Sequence, residues 1–77
     1  MPIKHWTSKW TFDYTAWSYE VFKARCDSNM TAVEMAGRCG VSHTTILHIE
    51  AGQWIAMPTI ILISDILDIR LIRFIKR

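Results

Sequence analysis

Between Thr31 and Gly52 the chain carries two helix starts and two helix stops, which leaves room for two short helices and a tight turn and for little else. Thr31-Ala-Val-Glu34 is a capping box: the threonine hydroxyl can accept from the backbone N–H three residues on, and the glutamate can reach back to the threonine N–H. A helix begun there runs to about Cys39, because Gly40 supplies the left-handed residue that ends it. Ser42 is the next N-cap, and the helix from His43 meets its own stop at Ala51-Gly52.

The side chains of this stretch also limit how the two helices meet. Met35, Cys39, Val41, Ile46 and Ile49 are apolar, Ala36 is small, and Gly40 lies four residues after it. The helices can therefore cross closely over Ala36. A bulky side chain there would push them apart, and a β-carbon at Gly40 would strain a positive φ. Together these are the spacing rules of a helix-turn-helix.

The flanks read as follows. From Lys9 to Thr15 the run KWTFDYT alternates polar and aromatic residues, placing Trp10, Phe12 and Tyr14 on one side of a strand or a clamped arm. Asp13 or Thr15 can cap a helix through about Asp27, with Trp17, Val21 and Ala24 at helical spacing, until Asp27-Ser28-Asn29 breaks it. After the loop QWIAM, Pro58 fits the first turn of a fourth helix that carries Ile60, Ile63, Ile66 and Leu67 inward. The expected fold is mainly α, a compact domain of four to five short helices with a short strand at the N- or C-terminal end. An aromatic and basic arm is expected over 1–15 and the helical domain over 16–77.

At 77 residues and 51% hydrophobic content the chain makes one domain with a marginal core, so a partner subunit is expected. Its bases concentrate in the ends, with Lys4 and Lys9 at one and Arg70, Arg73, Lys76 and Arg77 at the other. Cys26 and Cys39 form no C-x-x-C pair, and MPIKHWTSKW has no apolar centre of the kind a signal peptide needs, so the expected location is the cytosol. The apolar run IAMPTIILISDIL is broken by Pro58, Ser64 and Asp65, short of the roughly 20 residues that span a bilayer.

The run MTAVEMAGRCGVSHTTILHIEAG resembles the lambda-repressor-like, Cro-type helix-turn-helix family of phage and bacterial regulators. That family's Leu-Thr-Gln opening corresponds to Met30-Thr31-Ala32 and its Leu-Ala pair to Met35-Ala36. The Gly-Val-Ser turn stands at Gly40-Val41-Ser42, and the Ile-Glu-x-Gly close at Ile49-Glu50-Ala51-Gly52. The stretch from Leu62 to Ile69 resembles the family's fourth helix and the bend after it. The resemblance implies a homodimeric, sequence-specific regulator of double-stranded DNA, a Cro-like repressor acting on a palindromic operator. It also implies an ion pair between a base near the end of the first helix and the closing glutamate, here Arg25 and Glu50.

With Ile46 and Ile49 facing the core, His43, Thr44, Leu47 and His48 form the opposite stripe of the second, recognition helix and are expected to contact bases. Histidine can donate to guanine N7 or O6, threonine serves donor or acceptor edges, and Leu47 can pack on a thymine methyl. The family's phosphate-touching glutamine is Ala32 here, the position after Glu50 is Ala51, and the commonly basic loop is Gln53-Trp54-Ile55-Ala56. Phosphate contacts then fall to Thr31, Ser42, Thr45, Gln53 and Arg38, with the tails.

Cys26, Cys39, His43 and His48 superficially resemble a zinc set, but His43 and His48 are roughly 140° apart around a helix and Cys39 is a core position, so no metal and no cofactor is expected. Asp65 and Asp68 make no catalytic pairing, Asp68 instead replacing a helix-ending glycine, and enzymatic activity is not expected. Trp6 and Trp10, interleaved with Lys4, His5 and Lys9, are expected to pack on the protein's own surface or on a dimer mate. Ile69, Leu71, Ile72, Phe74 and Ile75 are many large apolar side chains for a chain end and are the expected dimer interface. A second reading is a protein-interaction module using the apolar Trp54-Ile55 loop and the C-terminal segment, with weak or no DNA binding.

Overall fold

The computed structural model describes residues 11–76. Strand β1 (Thr11–Phe12) is followed by helices α1 (Tyr14–Asp27), α2 (Ala32–Cys39), α3 (His43–Glu50) and α4 (Met57–Leu67). A 3-10 turn (Leu71–Phe74) then leads into strand β2 (Ile75–Lys76). β1 and β2 pair antiparallel, Thr11 opposite Lys76 and Phe12 opposite Ile75. The helices and the two short strands agree with the mainly helical fold expected from the sequence. No helix among the described residues is long and apolar enough to cross a membrane.

Local chemistry sets the helix boundaries. Asp13 caps α1 by accepting from the Ala16 N–H at 3.0 Å. Thr31 and Glu34 form the reciprocal capping box on α2, and Ser42 caps α3 through the Thr45 N–H. Helix α4 has no side-chain cap at Ala56 and starts instead with Pro58 in its first turn. All four helices close in the same way. A left-handed residue stands just past each end, Asn29, Gly40, Gly52 and Asp68, and the next residue's N–H returns to a carbonyl five positions back. These bonds are Met30 to Arg25, Val41 to Ala36, Gln53 to His48 and Ile69 to Ser64, at 2.8 to 3.1 Å.

The core gathers Trp17 and Val21 from α1, Met35, Ala36 and Cys39 from α2, Ile46 and Ile49 from α3, Ile60 and Ile63 from α4, then Ile55 and Phe74. Ile66 and Leu67 are part-buried and pack against it. β1 pairs with β2, and the Phe12 ring lies 6.2 Å from both Trp17 and Phe74, so Thr11 and Phe12 pack with the helical domain. Tyr14 opens α1 and meets Phe12 edge-on at 5.0 Å. The readings made of Trp6 and Trp10 lie outside the described residues.

Candidate nucleic-acid interface

The surface expected to read DNA is built by the α2–turn–α3 unit. Ala36 is buried where the two helices cross, and Gly40 turns the chain at φ 69°. Nothing lies within 4 Å of a β-carbon placed on Gly40, so the glycine is required by its dihedral and not by space. Ile46 and Ile49 are fully buried and fix the rotation of α3. His43, Thr44, Leu47 and His48 are consequently all exposed, on the side of α3 turned from the core.

The end of α3 is held by Arg25. Its Nε and Nη2 donate to the two Glu50 carboxylate oxygens at 2.6 and 2.9 Å, while Nη1 donates to the Met30 carbonyl at 3.0 Å. One guanidinium thus ties α1, the entry to α2 and the close of α3. The fork of N–H donors matches the carboxylate, and side-chain exposures of 19% and 14% keep the pair mostly out of water. Glu50 sits where the α3 dipole disfavours an anion, and the Arg25 cation offsets that. The Glu50 carboxylate in turn holds the Arg25 guanidinium above its ordinary range.

The residues expected on phosphates are also at the surface, Thr31, Ser42, Arg38 and Gln53 exposed and Thr45 part-buried. Their hydroxyls have defined remaining capacity. Thr31 accepts from the Glu34 N–H, so its own O–H stays free to donate. Ser42 and Thr45 share one hydrogen bond at 2.9 Å, which consumes one of their two hydroxyl protons and leaves the other available to an incoming phosphate. Arg38, in the last turn of α2, is the only formal cation of the nine base- and phosphate-contact candidates when both histidines are neutral.

Other expected roles are redistributed. Phe74, expected at a dimer interface, is 3% exposed and packs in the chain's own core beside the Phe12 ring and the β1–β2 pair. Ile69 and Leu71 are part-buried against the same core, so of the five C-terminal apolar residues only Ile72 and Ile75 are exposed. Arg73 faces Glu20 at 3.6 Å and Lys76 faces Asp13 at 2.9 Å, binding these two C-terminal bases to the protein's own acids. Ile55 is a core residue, whereas Trp54 beside it is 71% exposed. Cys39 lies buried with its sulfur 3.8 Å from that of Met35, and burial pushes its thiol up from the usual range, while Cys26 is exposed on α1.

A protein-family model described as helix-turn-helix matches residues 21–74. The match begins in α1 and ends with the 3-10 turn, covering the whole α2–turn–α3 unit and the Arg25–Glu50 pair. No curated protein and no solved structure matches the chain. The chain belongs to the lambda-repressor-like helix-turn-helix family, a family of DNA-binding regulators.

Proposed function

We propose that this helix-turn-helix chain reads double-stranded DNA through α3 and acts in the cytosol as a homodimeric, Cro-like transcriptional repressor on a palindromic operator. The observation that carries the reading is the division of α3 into two faces. Ile46 and Ile49 are fully buried, and the opposite stripe of His43, Thr44, Leu47 and His48 is exposed, with no side-chain hydrogen bond or ion pair among the described residues. Those side chains match base edges: imidazole and hydroxyl groups exchange hydrogen bonds with guanine and adenine, and Leu47 offers a thymine methyl its apolar surface. Thr31, Ser42, Thr45, Gln53 and Arg38 supply donors for phosphate oxygens, contacts that orient the helix without reading sequence. Repression follows where the operator overlaps a promoter.

Selection of bound fragments from random double-stranded DNA, at several salt concentrations, tests this reading. A palindromic sequence should emerge. His43→Ala or Thr44→Ala should then lose about 1 to 3 kcal/mol at particular base pairs, whereas Arg38→Ala should weaken all sequences alike and lower the salt slope by about 1. If both α3 variants keep the full preferred sequence, α3 is not the reading helix. The alanines at 32 and 51 and the exposed Trp54 favour the second reading, a protein-interaction module, and that reading gains if no sequence is enriched.

A further inference from the structure

The nine side chains expected on DNA carry one formal cation between them, Arg38, and two imidazoles, His43 and His48. Their proposed partner is a dense polyanion, with about one phosphate charge per 1.7 Å of duplex. Imidazole is the side chain whose ordinary charge change falls between about pH 5 and 8, so the charge of this surface is not fixed over that range. A neutral imidazole carries one N–H and one bare nitrogen, an imidazolium two N–H groups. Phosphate oxygens, guanine N7 and O6, adenine N7 and thymine O4 are all acceptors. Against them the charged form gains both a donor and an attraction.

We propose that His48 meets DNA as the imidazolium, so that binding takes up a proton and tightens as pH falls. This rests on the DNA reading above and adds to it the chemical form of one reading side chain. Position on α3 separates the two histidines. His43 is the first residue of the helix, where the positive end of the dipole opposes a further cation; His48 lies in the last turn, where the negative end favours one. The His48 carbonyl accepts from the Gln53 N–H in the close of the helix, while its side chain stays exposed. Glu50, two residues on, has both carboxylate oxygens bonded to Arg25, so that pair adds no net charge at the end of α3.

The elements packed against α3 hold no counter-charge for His48. On α2 the charged groups are Glu34, which accepts from the Thr31 N–H in the capping box, and Arg38; the Cys39 thiol is buried against Met35. On α1 Arg25 is committed to Glu50 and Glu20 faces Arg73, while Lys23, Cys26 and Asp27 are exposed. Among the described residues none of these forms an ion pair with His48. The imidazolium therefore lacks a partner anion in the free protein and finds several on the duplex, and that difference is what draws in the proton. The sign follows by linkage. DNA raises the pKa of the imidazole, so the added affinity is fully present below the free-state value and is lost as pH rises through the higher bound-state value.

Binding of the selected duplex at fixed salt, from about pH 6 to 8, by the full chain, His48→Gln and His43→Gln tests the proposal, with thermal melts at both limits to establish that each variant is folded. Glutamine keeps a donor and an acceptor but cannot take up a proton. The parent should bind on the order of 5- to 10-fold more tightly at the acid limit, the effect of one imidazole whose charged form the complex favours about tenfold. His48→Gln should flatten this to less than about twofold, and His43→Gln should keep it. Calorimetry in two buffers of unlike ionisation enthalpy should count about half a proton taken up per protomer near neutral pH by the parent, and close to none by His48→Gln. An affinity independent of pH, a His48→Gln protein with the parent's dependence, or a dependence removed by His43→Gln alone overturns the proposal. The DNA reading fails separately: a parent that selects a sequence but takes up no proton keeps the reader and loses the imidazolium, whereas a parent that selects no sequence at either limit removes both.

Discussion

The indole Nε1–H of Trp17 donates to the Oγ of Ser64 at 2.8 Å, a fully buried bond that joins α1 to α4 across 47 residues of sequence. Trp17 supplies the largest side chain of the core, and its one polar atom must find an acceptor there or remain unsatisfied. Ser64 breaks the apolar run of α4 at the position where that acceptor is needed. Ser64→Ala should therefore cost about 1 to 3 kcal/mol, the penalty of an orphaned buried N–H. The same substitution made in a Trp17→Phe background should cost less than about 0.5 kcal/mol, because no donor remains. Chemical denaturation of the four proteins measures both values; equal costs in the two backgrounds would show that the bond contributes nothing.

Arg25 and Glu50 carry a second long-range link. Removing one partner leaves the other charge mostly buried, so Arg25→Met should destabilise by about 2 to 3 kcal/mol, below the 3 to 5 typical of a fully enclosed pair because both side chains keep some water. Arg25→Met with Glu50→Leu should recover most of that loss, as paired apolar replacements often do. Melting temperatures settle it. An Arg25→Met protein that melts with the parent would mean the pair is solvated in solution.

Asp68 closes α4 at φ 57° and ψ 42°, where a side chain is disfavoured by about 1 to 2 kcal/mol relative to glycine. Asp68→Gly relieves this but increases the freedom of the unfolded chain, so the net gain should be about 0.5 kcal/mol. Gly40→Ala is the converse experiment, a pure dihedral penalty of about 1 kcal/mol, since its added methyl meets no neighbour. Shifts of opposite sign in the urea midpoint, with unchanged slope, are expected. A destabilised Asp68→Gly would show that the aspartate makes a compensating contact in solution.

Asp13 gives stability a dependence on pH. The Ala16 N–H and, after it, the Lys76 ammonium hold its carboxyl below the usual range. A carboxyl depressed in the folded state stabilises fully above its ordinary value, near 3.9, and that contribution is lost as pH falls through the lower folded value. Acid titration of thermal stability should therefore fall more steeply below about pH 4 for the parent than for Asp13→Asn, which keeps a capping oxygen but cannot ionise. Superimposable acid limbs would remove Asp13 from the acid response.

Much of the α2–turn–α3 unit is legible from the sequence because its determinants are local. A capping box spans four residues, a left-handed stop one, and the facing of α3 follows from two isoleucines three apart; short-range sterics and hydrogen bonding decide these before any tertiary contact forms. The Arg25–Glu50 pairing was legible by resemblance, since nothing in the 24 intervening residues announces it. What tertiary structure decided is the fate of apolar side chains at the chain's end. Phe74, Ile72 and Ile75 look alike in sequence, yet the β1–β2 pairing and the Phe12 ring bury Phe74 and leave the other two out. In α4 the run from Met57 to Ile63 has too little polar contrast for periodicity to choose a face, and Ser64 marks the inner side only because Trp17 waits there. Burial depends on which surface arrives from elsewhere in the chain, and that information is not carried by any local stretch.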